Sequence, residues 1–268
     1  MITVFTPTYN RAHLLGTLFD SLEGQTDKDF EWLVVDDGST DDTAGLIGSW
    51  AESAGFPVRY VRQDNGGKHR AINRGIKEAG GELFFIVDSD DYLTPDAIEN
   101  IDREWQAVDD KSNMAGLCFR KVNYSTGEIL GAPFPPGCRD ADSLTIHYGW
   151  GIRADKAEVF RTDVLRRFPF PEIEGEKFVT EAVVWNRIAD SRENLLRCVD
   201  RGIYMCDYLP VGLTANFNRL IRNNPKGFIL YYKSLLGRSA VWRHPLDVAK
   251  AAVRLAQSYF HNIVKCTG

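Results

Sequence analysis

The sequence predicts an α/β protein: a mostly parallel sheet flanked by helices, with a helical C-terminal extension. Three observations predict it. The first 110 residues alternate short β-rich runs with helical stretches, the pattern of strands joined by crossover helices. An apolar content of 44% over 268 residues is enough to bury one full core. Two acidic clusters directly follow apolar runs, where a parallel sheet presents its ligand-binding edge.

Taken in order, strands are expected at Ile2–Thr6, Glu31–Val35, Val58–Arg62 and Leu83–Val87. Helices are expected between them at Arg11–Leu22, Asp41–Ala54 and Lys68–Ala79, then at Pro95–Val108. Thr40 is read as the cap of the second helix, with Asp41 and Asp42 in the first turn, where the helix dipole favours anions. Thr94 is read as the cap before Pro95, a residue suited to a first-turn position. Met114–Tyr124 reads as a further strand and Gly131–Gly137, with three prolines, as a loop. The spacing of Val184, Ile188 and Ala189 predicts a helix over Thr180–Ala189, and Phe228–Leu236 and Leu246–Val264 are helical again. The expected organisation is a body over residues 1–215, split into a nucleotide-binding half (1–110) and an acceptor-binding half (111–215), followed by a basic extension over 216–268.

No run of roughly 18 uncharged apolar residues occurs, and the N-terminus lacks the basic-then-apolar pattern of a signal peptide, so a cytoplasmic location is expected. The five cysteines are scattered, with no CxxC pair, which argues against a disulfide framework or a zinc site. The net charge of −5 is uneven: residues 201–268 hold ten Lys/Arg against Asp207 and Asp247, a local +8, which leaves −13 in residues 1–200. Such asymmetry points to an anionic surface or ligand for the tail.

The block Phe84-Phe85-Ile86-Val87-Asp88-Ser89-Asp90-Asp91 ends an apolar strand with three carboxylates in four residues, which repel unless a cation neutralises them. Mg²⁺ or Mn²⁺, hard ions with oxygen ligands, answer that need and leave coordination positions for phosphate. The plainer alternative is a solvated turn with an Asp capping the next helix. Asp36-Asp37-Gly38-Ser39-Thr40 has the same placement; an Asp here can accept a hydrogen bond from a uracil N3–H, or the segment is simply a strand-to-helix turn. Gln63-Asp64-Asn65-Gly66-Gly67-Lys68-His69-Arg70 joins two glycines to a basic triplet at a helix start, so that Lys68 or Arg70 can approach a base or phosphates, although the spacing is not that of a Walker loop. His69 alone reads as a packed or solvated histidine. A base for an alcohol nucleophile is sought among Glu174, Glu176 and Glu181, each of which also has an innocent role at a helix N-terminus.

The residues resemble glycosyltransferase family 2, inverting enzymes with the GT-A fold. The resemblance runs through Val4–Arg11, Val34–Asp41, Asn65-Gly66-Gly67, Ala71–Gly75 and Asp88-Ser89-Asp90-Asp91 followed by Pro95, five motifs in the family's order. It implies that Thr6, Pro7, Tyr9 and Asp36 line the nucleoside pocket with Asp37 nearby, and that Gly67, Lys68, Asn73 and Ser89 complete the nucleotide site. It also implies that Asp88 and Asp90 are the DxD acids, with Asp90 the direct metal ligand and Mn²⁺ or Mg²⁺ the cofactor. Asp155–Thr162, Glu176–Glu181, Trp185–Ile188 and Gly212-Leu213-Thr214 resemble segments of bacterial polysaccharide-building members. Where those show a Glu-Asp pair this chain has Glu181-Ala182, and Glu181 is the implied base. The implied reaction is a single inverting displacement from a nucleotide-sugar, a UDP-sugar by family habit, onto a glycan or lipid-linked acceptor.

The tail interleaves nine basic residues with Phe228, Tyr231, Tyr232, Trp242, Tyr259 and Phe260, a composition suited to the headgroups of an anionic membrane. Peripheral attachment at the inner membrane face is therefore one expectation, and packing of these helices on the acidic body is the other. Nucleic acid is not expected, since no recognition motif occurs. Rival functions are a sugar nucleotidyltransferase, which needs a glycine-rich loop where Thr6–Arg11 stands, an aspartyl phosphatase, which needs Asp-x-Asp at Asp36, and a catalytically silent nucleotide-sugar or glycan-binding protein.

Overall fold

The computed structural model describes residues 1–207 and 217–267. The expected Gly212-Leu213-Thr214 segment and the 215/216 boundary lie outside the described residues. The first half holds β1 (Ile2–Thr8), α1 (Leu15–Glu23), β2 (Phe30–Asp36), α2 (Thr43–Ser53), β3 (Val58–Arg62), α3 (Lys68–Glu78) and β4 (Leu83–Ile86). Next come β5 (Tyr92–Leu93), α4 (Ala97–Gln106), β6 (Met114–Asn123), β7 (Asp140–Ala141), a π-helical turn (Thr145–Gly149), β8 (Lys156–Arg161), α5 (Thr162–Arg167), α6 (Ala182–Ala189) and β9 (Leu195–Cys206). Four helices close the chain: α7 (Phe217–Asn223), α8 (Pro225–Leu236), α9 (Ser239–Trp242) and α10 (Pro245–Thr267).

Among the described residues the strands form one sheet in the order β3-β2-β1-β4-β8-β6-β9-β5, with β7 paired to β9. β1 is parallel to both β2 and β4, and β2 to β3, whereas β8 runs antiparallel between β4 and β6. Strand order reverses at β1: the chain steps outward through β2 and β3, then returns to place β4 on the other side. A crevice opens at the carboxyl ends of β1 and β4 for that reason.

Both faces of the sheet are covered, so strands such as Ile2–Thr8 and Phe30–Asp36 are buried along their whole length rather than in alternation. Val4, Trp32 and Phe85 point to one face, against α1 and α4, while Phe5, Leu33 and Phe84 point to the other, against α3 and α5. A third, smaller cluster seats α7 to α10 on the body through Phe228, Tyr232, Leu235 and Val241. No helix among the described residues is long and apolar enough to cross a membrane, and Cys118, Cys138, Cys198 and Cys206 are free thiols.

Two expected caps are corrected. Thr40 does not cap α2, because the Asn10 Oδ1 atom accepts from both its N–H and its hydroxyl, at 2.8 and 3.2 Å. The first α2 residue, Thr43, is held instead by the Asp41 carboxylate. Thr94 does not cap α4 either: its hydroxyl donates to Asp96 Oδ1 at 2.9 Å, and Asp96 occupies the cap position. The β5, β7, β8 and β9 strands and the α5, α7 and α9 helices were not expected from the sequence.

The contact between α3 and β1 is unusually close at Gly75, where an added Cβ would stand 2.2 Å from Phe5 Cε2. Phe5 cannot easily yield, since its ring stacks on Phe84 at 4.9 Å. A Gly75→Ala change gains about 1 kcal/mol in helix propensity but incurs overpacking of about 1–3 kcal/mol. We predict a lower urea midpoint for G75A; a midpoint above that of the native chain would show that the close packing does not govern this position.

Candidate active site

The crevice is an open cavity of about 1020 Å³ whose wall includes Pro7, Tyr9, Asp37, Lys68, Asp88 and Asp90 from the first half and Lys121, Glu158 and Glu181 from the second. The expected acids stand at three places: Asp88, Asp90 and Asp91 follow β4, Asp36 ends β2 with Asp37 just after it, and Glu181 stands at the N-terminus of α6. Glu158 on β8 adds a fourth.

Asp37 organises the loop before α3. Its carboxylate accepts from Gln63 Nε2 and the Gly66 N–H, both at 2.8 Å, and from the Gly67 N–H at 2.7 Å. Gly67 has φ +97°, and a Cβ there would lie 1.9 Å from the Lys177 carbonyl oxygen, so only glycine allows the turn. The turn starts α3 at Lys68, whose Nζ lies 2.7 Å from Asp88 Oδ1 and 2.9 Å from Glu181 Oε1. Burial works against the Lys68 ammonium, but Asp88 and Glu181 outweigh it and hold its pKa above the ordinary lysine value. Burial likewise opposes the Asp88 carboxylate, and Lys68 more than compensates, keeping it ionised.

Asp90 is neutralised differently, by Arg11 Nη1 at 2.9 Å. Asp91 is buried, and burial together with the Asp88 charge pushes its pKa up to about 7. The Tyr204 hydroxyl accepts from the Asp88 N–H at 3.0 Å and donates to Asp91 Oδ2 at 2.7 Å, which fixes the acidic turn from the far side of the sheet. Lys121 Nζ lies 3.8 Å from the centroid of the Tyr204 ring and contributes further positive charge.

The cavity gathers most of the residues expected from the sequence, with some exceptions. Pro7, Tyr9, Asp37, Lys68, Ser89, Asp88, Asp90 and Glu181 reach its wall. Thr6 does not: it is fully buried, and its hydroxyl oxygen accepts from Trp32 Nε1 at 3.0 Å. Asp36 sits just behind the wall, accepting from the Tyr60 hydroxyl at 2.5 Å and the Ser39 N–H at 2.7 Å. Gly67 acts through the turn. Asn73 is turned away, its amide donating to the Phe170 carbonyl at 2.9 Å and its oxygen accepting from the Phe170 N–H at 2.8 Å. Arg70 is directed at the Gly66, Ile173 and Glu176 carbonyls rather than at the cavity. His69 is buried, and burial, aided by Arg70, lowers its pKa to about 4, so it presents a neutral ring.

Of the three candidate bases, only Glu181 lies on the cavity wall. Glu176 is buried and accepts from the Lys226 and Gly227 N–H groups, each at 2.7 Å, which makes it the N-terminal anchor of α8. Glu174 is exposed to solvent. Arg11, Lys121, Glu158 and Tyr204 were not assigned from the sequence. Arg11 had a visible signal, its place in the loop after β1; Tyr204 had none, being 113 residues from the carboxylate it holds.

Asp88 and Asp90 supply the hard carboxylate oxygens that Mg²⁺ or Mn²⁺ prefers, on an open wall with room for water and phosphate oxygens. No group of three or more His, Cys, Asp or Glu side chains is gathered in a metal-holding arrangement among the described residues. Two carboxylates on an open wall suit, by their chemistry, an ion that completes its shell from a ligand.

Residues 3–168 match the family described as Glycosyl transferase family 2. An uncharacterized glycosyltransferase of Nostoc sp. is 27% identical over 202 residues, covering 72% of this chain and 63% of the relative. The chain thus spans less than two thirds of that relative's length. The structure of Staphylococcus aureus TarS 1–349 in complex with UDP superposes with a TM-score of 0.60 at 22% identity, covering 96% of this chain and 70% of that one. The mannosyltransferase PcManGT from Pyrobaculum calidifontis, in complex with GDP-Man and Mn²⁺, superposes at 0.63 with 19% identity, covering all of this chain (100%) and 75% of that one. At these identities the two structures establish the fold as GT-A.

Glu158 on β8 gives a pH prediction. Burial pushes its pKa up to about 7, Lys156 and Lys121 oppose this, and Glu181 adds to it. The folded chain therefore holds a proton that the unfolded chain releases near the ordinary Glu value, so this contribution is complete below about pH 4 and is lost as pH rises through about 7. Asp91 acts with the same sign. Glu158→Gln is expected to flatten the fall in urea midpoint between about pH 5 and about pH 8, and Asp91→Asn to flatten it further. Midpoints that fall as steeply in both variants as in the native chain would contradict the assignment.

Proposed function

The chain belongs to Glycosyl transferase family 2, and on that premise we propose that it transfers a sugar from a nucleotide diphosphate donor, a UDP-sugar, to a hydroxyl of a glycan or lipid-linked glycan acceptor, with inversion. The observation that carries the proposal is the ion pair of Lys68 with both Asp88 and Glu181. Through it a carboxylate of the acidic turn and the only cavity-lining candidate base share one cation across the crevice. Residues 1–110 hold the nucleotide in this reading, residues 111–215 the acceptor, and residues 216–268 form the extension. The UDP of the TarS complex and the GDP-Man and Mn²⁺ of the Pyrobaculum complex support a nucleotide-sugar donor and a divalent ion.

In the proposed reaction Pro7, Tyr9 and Asp36 flank the nucleoside, and Asp37 holds the loop that places Lys68. Glu181 accepts the proton of the acceptor hydroxyl as its oxygen forms the bond to the anomeric carbon and the bond to the diphosphate oxygen breaks. One carboxylate suffices near that carbon, unlike the paired acids of glycosidases. Lys68 orients Glu181 before the acceptor arrives. Asp88 and Asp90 would hold Mn²⁺ or Mg²⁺, which supplies Lewis-acid stabilisation of the charge on the departing diphosphate. The product class is a cell-surface polysaccharide, as in the bacterial members that the sequence resembles.

Two outcomes test this. UDP-sugars with Mn²⁺ are expected to raise the melting temperature, and Asp90→Ala to lose the metal-dependent part of that rise, because stabilisation follows binding to the folded state. Glu181→Gln is expected to lower kcat by about 10²–10⁴-fold while leaving the donor-induced shift intact. A Glu181→Gln enzyme with native turnover would remove Glu181 as base, and native protein that binds donor without ever releasing UDP would make the chain a binding protein.

A further inference from the structure

We infer that the outward face of α10 is a docking surface for an anionic lipid bilayer. The inference rests on the lipid-linked acceptor reading for its purpose and on the surface itself for its physics. The sequence placed membrane contact in the aromatic residues of the tail as a whole. The structure divides them: Phe228 and Tyr232 are buried in the cluster that seats the extension, and Phe178 stacks on Phe228 at 5.7 Å. Other aromatic and aliphatic side chains lie outside.

α10 packs on α8 through Ala251 and Ser258, which are buried. On its other side Leu246, Val253 and Phe260 are 78%, 59% and 64% exposed. Their seven-residue spacing is close to two helical turns, so they fall on one side of the helix. Ala249 and Ala256, also exposed, flank them on one side, and exposed Lys250 and Gln257 on the other. The stripe runs for roughly 21 Å along the helix axis. Just before α10, Trp242 is 61% exposed, with its indole N–H donating to the Leu236 carbonyl at 2.8 Å. A soluble helix buries its apolar stripe; this one buries one face and displays a second.

The charges around the stripe decide among possible occupants. Exposed Lys250 borders one edge, and Lys233, whose Nζ lies 5.3 Å from the centroid of the Tyr259 ring, borders the other. Exposed Arg243 stands at the N-terminal end. Residues 217–265 hold nine Lys/Arg, and their single acid, Asp247, is bound by both guanidinium nitrogens of Arg153 at 3.0 and 2.6 Å. A second copy of this chain meeting the stripe through the same face would bring the same lysines against them with no acid to match, and like charges across an interface are costly. A nucleic acid would satisfy the lysines and leave Leu246, Val253 and Phe260 in water. An anionic bilayer takes both, the apolar stripe entering the headgroup and acyl boundary and the basic rims meeting lipid phosphates.

The test is flotation of the full chain with phosphatidylglycerol-containing vesicles and with pure phosphatidylcholine vesicles, without nucleotide. The native chain is expected to float with the first in a salt-sensitive manner and weakly or not at all with the second. Val253→Asp combined with Phe260→Asp, and separately Lys233→Glu combined with Lys250→Glu, are each expected to weaken binding by about tenfold or more. All four side chains are exposed, so neither variant disturbs the core. Failure of the native chain to bind anionic vesicles, or native-like binding by the Val253/Phe260 variant, would overturn the inference. So would a dimer in light scattering that this variant dissociates while neither protein binds lipid. The UDP-induced thermal shift with Mn²⁺, measured on the same samples, separates the two readings. Its persistence without vesicle binding defeats the docking surface alone, and its absence with vesicle binding intact defeats the transferase reading alone.

Discussion

The site depends on one electrostatic constraint: carboxylates crowded at the carboxyl edge of a buried sheet must each be neutralised. Like charges crowded there repel one another unless each is paired or protonated. The chain meets the constraint in three ways. Asp88 is paired with Lys68, Asp90 is paired with Arg11, and Asp91 takes a proton beside the Tyr204 hydroxyl. Positive charge is thus required at this edge whether or not a ligand is bound, and a metal-diphosphate complex is a ligand of the right sign and chemistry to exchange with the side-chain cations.

Because Lys68 reaches across to Glu181, whatever places Lys68 also positions the second half of the site. The Asp37 carboxylate holds the Gly66 and Gly67 amides, and the positive φ of Gly67 lets the Lys177 carbonyl approach. From the same helix, Arg70 and Asn73 tie the segment from Phe170 to Glu176 to the body, and Glu176 then fixes the start of α8. Gly67, Arg70, Asn73 and Glu176, which lie off the cavity wall, therefore help Asp37 and Lys68 set the position of the one candidate base on it, and the tail is secured through the same segment.

The parallel half was legible in the sequence because its strands are short, largely apolar runs separated by helical periodicity, and because the acids stand at or just after the ends of β2 and β4. The second half was legible only at β6 and α6. β9 carries Arg197, Asp200, Arg201 and Gly202 within its length, so its pattern resembles neither a buried nor an alternating strand. β8 has charged residues at both ends. The site was legible to the level of motifs, and the structure then assigns individual atoms. Asn73, Arg70 and Glu176 look like site residues when only spacing is visible, yet their polar atoms are committed to backbone groups about 50 to 106 residues away. Tyr204, equally distant, secures the acidic turn with no local sequence signal.

Crystals grown with UDP and Mn²⁺, examined by anomalous scattering, address the central claim most directly. The account predicts a manganese peak in inner-sphere contact with Asp90 and Asp88 and with the diphosphate, and Arg11 released from Asp90. A diphosphate bound elsewhere, or bound in the crevice with no metal while Asp90 still pairs with Arg11, would contradict it.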